Sequence, residues 1–218
     1  PFASVGLMRR VIEAARTHGC AGAFVDPEVP VARLRDGFAV EALPRHEAGV
    51  AHVPEDRNHM GMVGSFTIAE NLVLDSYYAP PFSKRGVMDG DAIRASAEQL
   101  VEAYDVRPPI IENTGSALSG GNAQKMIVAR EFSRDVPLVI CAQPTRGIDV
   151  GSIEYIHEQI VRKRDEGKAI LIVSTELDEI FALSDRIVVM FDGRIVAQMQ
   201  ASDTTPTEVG LYMAGKAA

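Results

Sequence analysis

Two hydrophobic rhythms alternate along the chain. Val50 to Val53, Pro137 to Cys141 and Ala169 to Val173 are short runs dominated by apolar residues, and such runs read as strands buried in a sheet. Between them the apolar positions recur at helical spacing. Asp91 to Tyr104 carries Ile93, Ala97, Leu100 and Tyr104 on one face, and Asn122 to Phe132 and Ile153 to Arg164 predict two further helices. Glu176 to Leu183 predicts a short helix, and Arg186 to Phe191 and Arg194 to Gln198 flank Asp192-Gly193, a strong hairpin turn signal. Nearer the start, Val11 to Arg16 lies in a helical stretch that ends at Gly19.

Apolar strands separated by helices imply an α/β fold with a parallel sheet covered on both faces. Met60 to Ser116 breaks this order: it is helical and loop-rich and holds no apolar strand. It reads as a helical lobe inserted into the α/β core. No internal repeat or low-complexity tract interrupts the pattern.

The 218 residues are enough for one sizeable core, and 46% hydrophobic with 24% charged residues is ordinary for a globular protein. A net charge of −8 argues against a nucleic-acid partner, but leaves room for a phosphate site built from backbone dipoles. Cys20 and Cys141 form no disulfide framework and fit a reducing compartment. No apolar run is long enough to span a bilayer. The start, Pro1-Phe2-Ala3-Ser4, shows no signal peptide and lacks a methionine, so a chain cut from a longer one is expected. His18, His46, His52, His59 and His157 show no metal-ligand spacing, and Arg162-Lys163-Arg164 suits a helix end, where cations complement the dipole.

The sharpest local feature is Leu118-Ser119-Gly120-Gly121-Asn122, followed by Gln124-Lys125 and a helix. Adjacent glycines let a backbone approach a ligand. Ser119 can cap the helix and offer a hydroxyl, and the free N–H groups at the helix start suit an anion. Taken alone, the same residues also suit an ordinary serine-capped helix after a glycine turn.

The order of features beyond it adds weight. The strand Leu138-Val139-Ile140-Cys141 is followed by Ala142-Gln143-Pro144-Thr145-Arg146-Gly147-Ile148-Asp149, then a helix, then Ile170-Leu171-Ile172-Val173 ending at Ser174-Thr175-Glu176. Upstream stands Val53-Pro54-Glu55-Asp56-Arg57. From about Asp36 to Gln198 this resembles the ATP-binding cassette family, in the order Q-loop, signature motif, Walker B strand, D-loop and switch strand. Glu70-Asn71-Leu72-Val73-Leu74, Gln143 to Gly147, Ser184-Asp185-Arg186, Pro80-Pro81-Phe82 and Ser83 to Gly86 look most like the second cassette of simple-sugar and nucleoside importers, in which two cassettes are fused.

The resemblance implies a P-loop NTPase-like parallel core with an inserted signature subdomain over about 60–130. Residues 131–218 form the C-terminal part of one cassette-like domain, and 1–35 an atypical, incomplete start. It also implies that two cassettes dimerise head to tail, each ATP lying between one P-loop and the opposite signature motif. Ser119, Gly120, Gly121, Asn122 and Gln124 would then bind nucleotide in trans, Asp149 would sit in the D-loop, and Glu55 would replace the usual Q-loop glutamine. For Glu55, a solvated acid or one paired with Arg57 is an equal reading.

The hydrolytic groups are missing. No Gly-x-x-x-x-Gly-Lys-Ser/Thr occurs, and Gly167-Lys168 and Gly215-Lys216 are both followed by Ala. Ala142 stands at the Mg²⁺-linked Asp position of the family, Gln143 at the catalytic Glu, and Thr175 at the switch His. A neutral amide is a very poor proton acceptor. ATP and Mg²⁺ are therefore expected to be held mainly by a partner cassette, and this chain alone is expected to be inactive.

Further implied partners are membrane permease subunits and, indirectly, a substrate-binding lipoprotein, with the chain peripheral on the cytoplasmic face of a bacterial membrane. Phe66, Ile68, Tyr77 and Tyr78 are candidates for the permease contact, with core packing as the competing reading for each. Two other functions stay open: an active ATPase truncated of its P-loop, and a non-enzymatic remnant or interaction module. For the first residues, the helix Leu7 to His18, then Ala21 to Val25 and Val31 to Arg33, either preserve a P-loop helix without its loop or mimic the end of a preceding cassette.

Overall fold

The computed structural model describes residues 49–216, which divide between two compact units, 49–170 and 171–216. The expectations for Val11 to Arg16, Cys20, Ala21 to Val25, Val31 to Arg33, His18 and His46 lie outside the described residues.

In the first unit, β1 (Val50–Val53) leads into a π-helical turn (Arg57–Gly61) and the short helix α1 (Ile68–Leu72). The hairpin strands β2 (Ser83–Lys84) and β3 (Val87–Met88) precede α2 (Gly90–Ala103) and α3 (Gly120–Phe132). β4 (Leu138–Ala142), α4 (Val150–Asp165) and the first residues of β5 (Ala169–Val173) complete it. β1 and β4 pair in parallel, Val50 opposite Leu138 through Val53 opposite Cys141, in a sheet of order β1-β4-β5. Every residue of β4 is buried, as an all-apolar run in a parallel sheet requires. The apolar runs thus mark the strands to within a residue.

Helix α3 is the organising element. It is buried from Ala123 to Phe132 at every position but Lys125, so it is internal on nearly every face although Gln124, Arg130 and Glu131 are polar. It packs against β1, α1, α2 and α4. Burying Phe132, 1% exposed, stabilises by about 2–3 kcal/mol. Its polar exceptions are paired: Arg130 Nε meets Glu131 Oε1 at 3.0 Å, and Glu131 Oε2 accepts the His52 N–H at 3.0 Å. A carboxylate on the helix thereby accepts a backbone N–H of β1.

The helical lobe has its own core. Ile68 and Leu72 of α1, Ala97 and Val101 of α2 and Met126 of α3 join Val106 and Ile111. Thr67 and Glu70 close a capping box at the start of α1. Asn71, fully buried, accepts from Val63 N–H at 2.8 Å and donates to the carbonyls of Val63, Phe66 and Thr67. The polar member of the Glu70 to Leu74 motif therefore pins the preceding loop. One open reading is decided here, and one element is added. Ile68 lies at 0% exposure in this core and lines no outer surface, whereas Phe66, Tyr77 and Tyr78 are exposed. The lobe also holds the β2–β3 hairpin, whose two-residue strands are too short to give an apolar run and whose turn uses Arg85 and Gly86 at φ 54 and 79.

In the second unit, β5 runs on to Val173, and α5 (Leu177–Leu183), β6 (Arg186–Phe191), β7 (Arg194–Gln200) and α6 (Pro206–Met213) follow. β6 and β7 pair antiparallel about Asp192-Gly193, both at positive φ, as the turn signal predicts. Ile187, Val189 and Val209 form its buried cluster, with Leu177, Ile180, Ala197 and Met199 packed on it.

Candidate functional site

The start of α3 is built by its own first turn. Ser119 has extended backbone angles and is the N-cap. Its Oγ accepts the Asn122 N–H at 3.4 Å and the Asn122 Nδ2 at 3.0 Å, while Leu118 packs against the lobe core. The Ser119 side chain is exposed, Gly120 and Asn122 are half-buried, and Gly121 and Gln124 are buried, Gln124 at 2% exposure. A hydroxyl, not a long amide, is the group this helix start offers to solvent.

Close packing dictates glycine at 121 and leaves little room at 120. A β-carbon on Gly121 would lie 2.1 Å from Ser152 Oγ and 2.6 Å from Asp149 Oδ2. One on Gly120 would lie 3.0 Å from the Arg57 guanidinium and 3.5 Å from Gly147 O. The Ser119–Asn122 turn therefore sits directly on the β4–α4 loop and the first turn of α4. At Gly121 the need for glycine arises inside the chain, before any ligand arrives.

That loop is held from below. The Arg57 guanidinium donates to Arg146 O at 2.7 Å and to Gly147 O at 3.1 Å. Arg146 reaches back to Glu55 Oε1 at 2.9 Å. The sequence offers Glu55 as a Q-loop acid, a solvated acid or a partner of Arg57; the structure pairs it with Arg146, while Arg57 serves the two carbonyls. Gln143 and Gly147 turn the loop at φ 49 and 67.

Asp149 ends the loop as the N-cap of α4. Its carboxylate accepts the Ser152 N–H at 2.9 Å and the Ser152 hydroxyl at 2.8 Å. The hydroxyl first, and then the backbone N–H, hold this carboxyl below the usual carboxylate range. At the end of β4, Ala142 is buried and its side chain offers no ligand atom, and Gln143 is half-buried. Among the described residues no group of three or more His, Cys, Asp or Glu side chains could hold a metal. Thr175 is exposed in the second unit.

A second ring of residues supports the first and is not evident from motif reading. Arg107 N–H donates to Asn122 Oδ1 at 2.7 Å, and Arg107 Nε meets Asp105 Oδ1 at 2.7 Å. Lys125 Nζ, three residues along α3 from Asn122, meets Asp105 Oδ2 at 2.9 Å and lies 4.5 Å from the Tyr155 ring centroid. Hydrogen bonds from Lys125, then Arg107, lower the Asp105 pKa. Burial, with the nearby Tyr104 and Asp105, pushes Tyr155 up to about 12. The only hint in the sequence is Lys125 directly after Gln124.

No protein-family model matches the chain. It is 49% identical over 169 residues to the guanosine import ATP-binding protein NupO of Bacillus subtilis (strain 168), a match covering 78% of the chain and 33% of that protein. It is 50% identical to the nucleoside import ATP-binding protein NupA of Lactococcus lactis subsp. cremoris over the same shares of each, 78% and 33%. Among solved structures, a nucleotide-free ATP-binding cassette from an ABC transporter superposes at TM-score 0.61 and 19% identity, covering 79% of this chain and 71% of that one. The chain belongs to the ATP-binding cassette family. A dimeric bacterial ABC transporter cassette likewise matches at TM-score 0.57 and 22% identity, over 69% of this chain and 62% of that one; at these identities the solved structures speak to fold alone. The cassette described here spans about a third of the length of the curated relatives it matches. No helix among its described residues is long and apolar enough to cross a membrane.

Proposed function

We propose that this chain is the second, hydrolysis-deficient cassette half of an importer for nucleosides or sugars. It presents Ser119, Gly120 and Gly121 to an ATP whose phosphates and Mg²⁺ are held by the P-loop of a partner cassette. The observation that carries this reading is the exposed Ser119 hydroxyl at the capped start of a 13-residue helix. Backbone N–H groups and dipole favour an anion there. Ala142 and Gln143 support the silent half of the reading, since neither can ligate Mg²⁺ as an anion or take a proton from water.

The import role rests on the relatives' names, which are import ATP-binding proteins for guanosine and nucleosides. Under this reading the chain lies at the cytoplasmic membrane face against permease subunits, and a substrate-binding lipoprotein delivers the solute. Phe66, Tyr77 and Tyr78 are the exposed aromatic residues of the lobe suited to the permease, the two tyrosines stacked edge to face at 5.7 Å.

The test is ATP turnover. The chain alone shows none, and Ser119→Arg in the assembly with the partner cassette lowers turnover roughly a hundredfold, because the substitution removes the hydroxyl donor and its long side chain also blocks the approach of the nucleotide. Normal turnover in Ser119→Arg, or hydrolysis by the isolated chain, contradicts the proposal.

A further inference from the structure

Asn122 is wired at both ends of its amide. Its Oδ1 accepts the Arg107 backbone N–H at 2.7 Å. A backbone N–H can only donate, so the amide oxygen must face Arg107 and the NH₂ must face the other way. That NH₂ donates to Ser119 Oγ at 3.0 Å, and the Asn122 backbone N–H approaches the same oxygen at 3.4 Å. A hydroxyl oxygen has two acceptor lone pairs and one hydrogen to give. With both hydrogen bonds at Oγ among the described residues being ones it accepts, its hydrogen is directed away from the helix, toward solvent.

We infer that Asn122 is a positioning residue that sets Ser119 as a hydroxyl donor to a phosphate oxygen of the nucleotide. This rests on the reading of Ser119 given under the proposed function. The orientation is not left to Asn122 alone. Arg107 is tied to Asp105, and Asp105 to Lys125 on the next turn of α3, so the chain of bonds starts and ends on the same helix. Networks of this kind hold each member in one orientation. Asn122 has its carbonyl and one N–H bond committed inside the chain, so its part is to aim the serine.

The test is a double-mutant cycle on ATP turnover in the assembly with the partner cassette, using Ser119→Ala, Asn122→Ala and the double variant, with thermal melting of each as a check on folding. Each single change is expected to lower turnover about tenfold, the scale of one hydrogen bond to a charged group. The double variant is expected to be no slower than Ser119→Ala, because an effect exerted only through Ser119 disappears with it. A purely structural role for Asn122 would persist in the Ser119→Ala background, and that additive loss overturns the inference. So does unchanged turnover in Asn122→Ala. Should Ser119→Ala itself leave turnover unchanged, the reading of the site as a nucleotide contact fails first, and the cycle shows which of the two has fallen. Asn122→Asp, nearly isosteric, serves if the alanine variant unfolds: its carboxylate can accept from Arg107 but cannot donate to Ser119, so the hydroxyl turns inward, and wild-type turnover in that variant overturns the inference equally.

Discussion

Gly121 of α3 and Ser152 of α4 approach so closely that a β-carbon on the glycine would stand 2.1 Å from the serine hydroxyl oxygen. The hydroxyl cannot swing aside freely, because it donates to Asp149 Oδ2 at 2.8 Å and thereby helps cap its own helix. Gly121→Ala must push α3 and α4 apart or break the cap. The expected loss is about 2–3 kcal/mol by urea unfolding. Gly210→Ala in α6, where nothing lies within 4 Å, is expected instead to gain about 0.5–1 kcal/mol from helix propensity.

Arg57 supports the β4–α4 loop through two carbonyls. Arg57→Ala leaves Arg146 O and Gly147 O without these donors and is expected to cost about 1–2 kcal/mol in thermal or urea unfolding. Arg57→Lys keeps the charge but loses the planar fork, so it should recover only part of that loss.

Asn71 is a buried amide whose partners are all backbone groups of one loop and one helix start. Asn71→Leu keeps the volume and orphans those groups. The expected destabilisation is about 2–4 kcal/mol, with faster amide hydrogen exchange at Val63 as its local signature. A loss within experimental error would show that the loop does not depend on this side chain.

Asp105 gives a pH dependence of known sign. Lys125 and Arg107 lower its pKa from the ordinary 3.8. The ionised form is thus favoured by folding: its contribution is complete above pH 3.8 and is lost as pH falls through the lower, folded-state value. Asp105→Asn should remove that component, so its unfolding free energy falls less steeply than the parent's in this acid window. Parallel slopes for the two proteins in acid urea melts would contradict the assignment. Asp105 is partly exposed, and the effect is correspondingly modest.

Much of the architecture was legible because it rests on local rules. Consecutive apolar residues mark β1, β4 and β5, Asp192-Gly193 marks the last hairpin, and Ser119 marks the start of α3. What sequence could not supply lies in contacts between distant segments. Glu55 reads from sequence as a Q-loop acid, a solvated acid or a partner of Arg57; its pairing with Arg146 comes from the folded loop, which gives Arg57 two carbonyls to serve. Ile68 reads as exposed or buried from pattern alone and is buried because α2 and α3 close over it. The Arg107–Asn122–Ser119 relay depends on a backbone N–H from a loop 15 residues away, which no motif spacing records.

The most direct measurement is alkylation of a single thiol at the helix start. Ser119→Cys, in a Cys20→Ser background, places the one exposed cysteine at that position, Cys141 being buried. In the assembly with the partner cassette, maleimide labelling should slow several-fold when MgATP is added, and should not change with MgATP for this chain alone. Equal labelling rates in the assembly with and without MgATP would contradict a signature turn that closes on a partner's nucleotide.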